Sequence, residues 1–388
     1  MLYKILNSDR EICLQEEGNS YQAINPPIVQ SSLFTFKSLE DYRQYRLKNR
    51  EQYCYTRGNN PTTHFVEDKL AALERGERCR VFSSGMGAAS AALLGHLKSG
   101  DHVLFVNTIY GPVLEYAKFI RRFGIEYSYV RDTDIAAIQE GIKPNTRIIY
   151  LESPGSADFK VVDLRAVAKV AHDNGITTII DNTCLTPLFQ KPLELGIDIV
   201  VHSCSKYIGG HADLIAGAVI TSRKLMQPIN DYCYKLHGAV VSPHDAALLL
   251  RGIRTLPTRI EAGLETTAKV VEFLQNHPRV IKVNHPLAYS QADKLTFMAQ
   301  ATGYTSLLSF ELAANSFTEI GQFIDKLRTF HIGVSWGGYE NLVVAPNLGN
   351  DFAEVIARGE KPNLIRLALG LFNHATIIAD LEQALISG

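Results

Sequence analysis

Between Thr62 and about Ser222 the chain alternates short apolar runs with stretches of helical period. Cys79-Arg-Val-Phe-Ser83, His102-Val-Leu-Phe-Val106, Arg147-Ile-Ile-Tyr-Leu151, Thr177-Thr-Ile-Ile-Asp181, Asp198-Ile-Val-Val-His202 and Ala216-Gly-Ala-Val-Ile-Thr221 predict buried strands. Residues 62–75, 85–99, 112–123 and 163–174 predict the helices between them. Alternation of this kind implies the α/β class, with a mostly parallel sheet covered on both faces. Before it, residues 1–57 are polar and broken by Pro26-Pro27, which suits an extended arm. After it, an amphipathic pattern from Leu256 to Leu274 leads to a mixed region with strands near 279–283, 305–311 and 332–335 and a closing helix near 375–386. The expected organisation is an arm (1–57), a large domain (58–245) and a smaller C-terminal α/β domain (246–388).

Charge narrows the partner. Lys+Arg is 39 and Asp+Glu 40, a net charge of -1, so no broad positive field exists for nucleic acid or an anionic membrane surface. A small-molecule substrate is expected. Val81 to Leu97, a stretch free of Asp, Glu, Lys and Arg, is shorter than the about 20 residues a membrane span needs. The first ten residues show no secretory or transit pattern, so the expected location is cytoplasmic. The six cysteines form no C-x-x-C pair and the histidines no H-E-x-x-H, so reduced thiols and no metal are expected. The single tryptophan is Trp336.

Ligands of parallel sheets collect at the carboxyl ends of the strands, and three features stand there. Ser84-Gly85-Met86-Gly87 is a small-residue turn opening a helix, a potential phosphate site through free amides and the helix dipole. Close helix–sheet packing would also explain it. Asp181 ends a very apolar strand, where an acid is costly unless it meets a cation or several donors. Taken alone it could equally cap a turn. Ser203-Cys-Ser205-Lys206 places a lysine among hydroxyls at a strand end, where desolvation can make it a nucleophile. By itself such a lysine is more often a solvated loop residue. Together the three are the parts a pyridoxal phosphate site requires.

At this point the chain resembles the Cys/Met metabolism family of pyridoxal phosphate enzymes, the trans-sulfuration enzymes. The likeness rests on Tyr55-Thr-Arg57-Gly-Asn-Asn60-Pro61, Ser84-Gly85-Met86, Tyr110-Gly111, Glu152-Ser153-Pro154, Asp181-Asn182-Thr183, Ser203-Cys-Ser205-Lys206-Tyr207, Ser242-Pro243-His-Asp245, Arg251-Gly-Ile-Arg254 and Ile365-Arg366-Leu-Ala-Leu-Gly370. It implies an aspartate-aminotransferase-like (fold type I) architecture with pyridoxal 5'-phosphate as cofactor. It also implies roles: Lys206 binds the cofactor covalently, Asp181 holds the ring nitrogen, Tyr110 stacks on the ring, and Gly85, Met86, Ser203 and Ser205 hold the phosphate. Tyr55 and Arg57 match residues given across a subunit interface, so a homo-oligomer, dimer or tetramer, is expected. Arg366 matches the arginine for the substrate α-carboxylate, with Ser335 and Trp336 beside the substrate.

Within the family, Val334-Ser335-Trp336-Gly337-Gly338 is similar to bacterial cystathionine β-lyases, whereas γ-acting members commonly carry Leu after the serine. Cys54 stands where those members tend to place an acid. The expected reaction is therefore β-elimination of cystathionine or a related S-substituted cysteine to a thiol, pyruvate and ammonia. The alternatives within the family are a cystathionine γ-synthase, a cystathionine γ-lyase or a methionine γ-lyase. One alternative of another class is a serine hydrolase, because Gly333-Val-Ser335-Trp-Gly337 matches the G-x-S-x-G nucleophile elbow and is followed by Asp351 and His374.

Overall fold

A computed structural model describes residues 3–48, 52–357 and 360–386. Its larger sheet has seven strands: β1 (Arg78–Phe82), β2 (His102–Val106), β3 (Glu126–Val130), β4 (Thr146–Glu152), β5 (Thr177–Asp181), β6 (Ile199–Ser203) and β7 (Gly217–Thr221). They lie in the order β1-β7-β6-β5-β4-β2-β3. The pairs from β3 to β6 are parallel, while β7 runs antiparallel to both its neighbours. The mostly parallel sheet expected from the apolar runs is thus present, with one reversed strand. Strand β2 is buried at all five positions and β4 and β5 nearly so, because helices cover both faces. Helix α3 (Pro61–Glu74) packs on one side with the long helix Pro243–Asn276, and α4 (Gly85–Leu94) and α5 (Gly111–Ile120) pack on the other.

Several expectations change. The N-terminal arm is not wholly extended: it contains α1 (Asn7–Leu14) and α2 (Leu39–Arg46). Two buried acids fasten its start. Asp9 lies between Arg75 at 2.6 Å and Lys191 at 2.9 Å, and Glu17 between Lys69 at 2.9 Å and Arg254 at 2.6 Å. The helix expected from Leu256 begins at Pro243, where Ser242 Oγ accepts from Asp245 N, and continues through Pro257. A proline costs a helix one backbone hydrogen bond. Here the apolar face of the helix is buried from Ala246 to Leu274, which outweighs that loss.

The smaller sheet has the order β10-β11-β12-β9-β8. Its strands are β8 (Val280–Asn284), β9 (Leu307–Leu312), β10 (His331–Ile332), β11 (Leu342–Val344) and β12 (Leu364–Ala368). The strand expected near 332–335 is thus found only as His331–Ile332, and the chain leaves the sheet between Gly333 and Asn341. The closing helix, His374–Ile386, packs on this sheet with the C-terminal part of the long helix.

Candidate active site

The carboxyl ends of β1, β2, β4, β5 and β6 open into a cavity of about 510 Å³, a volume suited to a small ligand. Ser84, Gly85 and Met86 follow β1, Tyr110 follows β2, Glu152 and Asp181 end β4 and β5, and Ser203, Ser205 and Lys206 follow β6. The segment Val334–Glu340 and Arg366 of β12 close it from the smaller sheet. The structure thus brings ten of the twelve residues singled out from sequence to one cavity. Tyr55 and Arg57 do not line it. Tyr55 is half exposed, and the Arg57 guanidinium lies 5.8 Å over the Tyr55 ring and donates to Lys235 O.

Ser84 caps α4, its Oγ accepting from Gly87 N at 2.9 Å. The amides of Gly85 and Met86 then stand free at the helix start, with no partner among the described residues. Packing here is close. A Cβ on Gly85 would lie 2.9 Å from the Ser203 side chain, and one on Gly217 only 2.3 Å from Ser84 O. Ser205 Oγ is engaged with both backbone groups of Ala216.

Lys206 Nζ donates to Ser335 Oγ at 2.7 Å and lies 5.5 Å from the Trp336 ring. Burial and then the nearby Arg366 cation push the Lys206 amine below the ordinary lysine range, while Asp181 and Glu340 pull the other way. Trp336 is itself buried and tilted against Tyr207, with ring centroids 5.5 Å apart. Gly337, at φ +85°, presses on the Tyr207 backbone, where a Cβ would come within 2.6 Å. A glycine is required at such a position. Arg366 is drawn to the same place, donating to Val334 O at 2.7 Å.

Asp181 Oδ1 accepts from both the amide and hydroxyl of Thr183. Burial nevertheless raises its carboxyl, against the pull of Thr183, His202 and Lys206. A buried carboxylate in this condition gains from a cationic N–H partner. Free helix-start amides, an acid short of a cation and an amine of lowered basicity are the donor set that pyridoxal phosphate needs for its phosphate, ring nitrogen and aldehyde, so the residues fit that cofactor.

Two charged groups were given no role by the sequence. Glu152, 4% exposed, stands in register with Asp181 on the neighbouring strand. Like Asp181 it is an acid ending an apolar run, so the same signal could have found it. Glu74 on α3 lies 2.6 Å from His202 Nε2 on the opposite face of the sheet, with both side chains fully buried. Nothing in the local pattern at residue 74 announces that pairing across 128 residues. The hydrolase alternative fails on geometry. An irregular bend follows Ser335 in place of the helix a nucleophile elbow requires. Among the described residues no helix is long and apolar enough to cross a membrane, and no group of three or more His, Cys, Asp or Glu could hold a metal.

An L-methionine gamma-lyase of Fusobacterium nucleatum subsp. polymorphum is 40% identical over 375 residues, 95% of this chain and 94% of that protein. A cystathionine beta-lyase of Bacillus subtilis is 36% identical over 372 residues, 94% of this chain and 92% of that protein. A putative O-acetylhomoserine (thiol)-lyase of Campylobacter jejuni, solved with N'-pyridoxyl-lysine-5'-monophosphate, superposes with TM-score 0.90 at 28% identity, covering 98% of this chain and 100% of that one. The family model described as Cys/Met metabolism PLP-dependent enzyme matches residues 12–386, and the chain belongs to that pyridoxal phosphate-dependent family, with its fold type I architecture.

Proposed function

We propose that this member of the carbon–sulfur lyase family acts by β-elimination on an S-substituted cysteine such as cystathionine, releasing a thiol, pyruvate and ammonia. The observation that carries the reading is the confinement of Lys206 between Ser335 Oγ at 2.7 Å and the Trp336 indole at 5.5 Å. A β-elimination needs one proton removed, at Cα. A γ-elimination also needs one removed at Cβ, so its base must travel along the substrate, and a lysine walled in by a buried tryptophan is poorly placed to do so.

Bound pyridoxal phosphate supplies the electron sink that makes the substrate Cα–H acidic. Arg366 receives the α-carboxylate, to which its planar fork can bind bidentately. Burial and Arg366 lower the proton affinity of Lys206, so that its amine can take the Cα proton. Positioned proton transfer of this sort is worth about 10²–10⁴ in rate. As the Cβ–S bond breaks, its electron pair leaves with sulfur, Lys206 or the Tyr110 hydroxyl returns a proton to the thiolate, and the aminoacrylate left after release takes up one water to give pyruvate and ammonia. Asp181, at the inner end of the cavity, would pair with the ring nitrogen and keep it protonated. Ser203 and the free amides of Gly85 and Met86 would hold the phosphate.

Tyr55 and Arg57 lie outside their own cavity, and Tyr21, Ile24, Leu33 and Leu39 of the arm are exposed. We infer that a second copy of the chain covers this apolar stretch and receives Tyr55 and Arg57 at its own phosphate site.

A product assay on the purified protein tests the reaction. Cystathionine should yield pyruvate, and Lys206→Ala should lose turnover by at least about 10²-fold with the fold intact. Release of 2-oxobutyrate from cystathionine or methionine would replace the reading with γ-elimination. The name L-methionine gamma-lyase on a relative 40% identical favours that second reading.

A further inference from the structure

Glu152 is the buried acid to which the proposed chemistry gives no task. Its Oε1 accepts from Tyr110 N at 2.6 Å, and its Oε2 from Ser156 Oγ at 3.0 Å and Ser156 N at 3.3 Å. The side chain therefore ties the loop that carries Tyr110 to the turn after β4. Parallel contacts reinforce this stitch: Asn107 Nδ2 donates to Glu152 O at 2.9 Å and to Lys160 O at 3.1 Å, and Thr108 Oγ1 donates to Asp158 Oδ1 at 2.6 Å. Glu152 is also the register partner of Asp181 and lines the same cavity. Two carboxyl groups side by side out of water cannot both ionise cheaply.

We propose that Glu152 is a positioning residue that works as a neutral carboxyl, holding Tyr110 and Ser156 in place while Asp181 alone carries the negative charge that faces the cofactor. Neighbouring cationic groups tell the two acids apart. Asp181 takes two hydrogen bonds from Thr183 on one oxygen and has Lys206 and His202 nearby, which favour its charged form. Glu152 has three donors of its own, Tyr110 N and the Ser156 amide and hydroxyl, but burial and then the Asp181 charge raise it against them. Its contact with Ser156 Oγ survives protonation, because a carboxylic acid and a hydroxyl can exchange donor and acceptor.

The sign of the pH dependence follows. A carboxyl raised in the folded state binds its proton more tightly there, so what it stabilises is present at low pH and lost as pH rises through the raised value. Ionisation of Glu152 would add a second anion beside Asp181, and cofactor retention should fall. The other groups facing Glu152 do not produce that fall. Deprotonation of Lys206 favours its bond to the cofactor aldehyde, and ionisation of Asp181 strengthens its hold on a ring N–H. Tyr150 and Cys184 are pushed by burial above the range, Tyr129 is pushed up to about 12, and Arg366 is a cation that favours ionised Glu152.

The holoenzyme tests this whatever sulfur amino acid the site takes. It is dialysed against cofactor-free buffer from about pH 6 to about pH 9.5, with bound cofactor followed by visible circular dichroism and absorbance. The wild type is expected to release cofactor at least about tenfold faster at the alkaline end. Glu152→Gln keeps the acceptor for Tyr110 N and cannot ionise, so its release rate should be nearly flat with pH. Glu152→Ala should release rapidly throughout. A wild type without the alkaline rise, or a Glu152→Gln profile that follows the wild type, overturns the proposal. If Glu152→Gln does not fold, Ser156→Ala serves instead. Removing a hydrogen bond to the carboxylate should move the alkaline rise to higher pH, and an unmoved rise overturns the proposal.

Discussion

A Cβ added at Gly217 would lie 2.3 Å from Ser84 O and 2.7 Å from Gly85 Cα, both backbone atoms that no side-chain rotation can move aside. The phosphate end of the cavity is therefore built by contact between the first residue of β7 and the turn that opens α4. Gly217→Ala should push that turn outward, costing about 1–3 kcal/mol of stability in the way overpacked sites do. Because the free amides of Gly85 and Met86 move with the turn, cofactor affinity should fall as well. Equilibrium dialysis with pyridoxal phosphate beside urea denaturation checks both; unchanged cofactor affinity would show that the turn does not set the cradle. At this scale Asp181, Lys206 and the Ser84-Gly85-Met86 turn were legible because each is a polar or small residue at the end of an apolar run. Glu152 carries the same mark. Glu74 does not, since only the crossing of α3 behind β6 makes it a partner of His202.

Elements were legible where burial is symmetric. The central strands read as continuous apolar runs because both faces are covered, but edge strand β3, Glu126-Tyr-Ser-Tyr-Val130, lies half exposed and offers no such run. The 3-10 turn Pro286–Ala288 after β8 shows how an element can acquire a pH response. His285 caps it, its Nδ1 accepting from Leu287 N at 3.2 Å, while Nε2 lies 3.2 Å from Thr305 O. The ring sits against Tyr304 and Phe159 and is buried. Burial drives its pKa from 6.5 to about 4. A histidine depressed in the folded state destabilises the fold once the unfolded chain can bind the proton. Stability should thus be lost as pH falls from 6.5 towards about 4, by on the order of 3 kcal/mol. Denaturation of the wild type and His285→Asn at both ends of this window measures it. An equal acid loss in both proteins would acquit His285.

The whole molecule places its chemistry between two sheets. Lys206 and Asp181 come from the larger sheet, Ser335, Trp336 and Arg366 from the smaller side, and the long helix Pro243–Asn276 packs against both. The proposed completion of each site by a second copy has a direct test in mixed oligomers. Arg57→Ala and Lys206→Ala should each be inactive alone. Co-expressed, they should recover activity, roughly a quarter of wild type for random mixing in a dimer, because one site of each hybrid pairs an intact Lys206 with the neighbour's intact Arg57. No recovery would mean that Arg57 serves its own chain.

What the chain determined by itself was periodicity and local chemistry. Runs of apolar residues specify buried strands, and the residues just beyond them specify where a ligand could be met, because both depend on neighbours a few positions away. What only the tertiary structure decided were relations between residues far apart in sequence: the reversal of β7, the in-register pairing of Glu152 with Asp181, the wall that Trp336 forms beside Lys206, and the arm that leaves Tyr55 and Arg57 outside their own cavity. Strand order, register and desolvation are properties of the packed whole. The charge state of two neighbouring acids depends on all three, and no local pattern contains it.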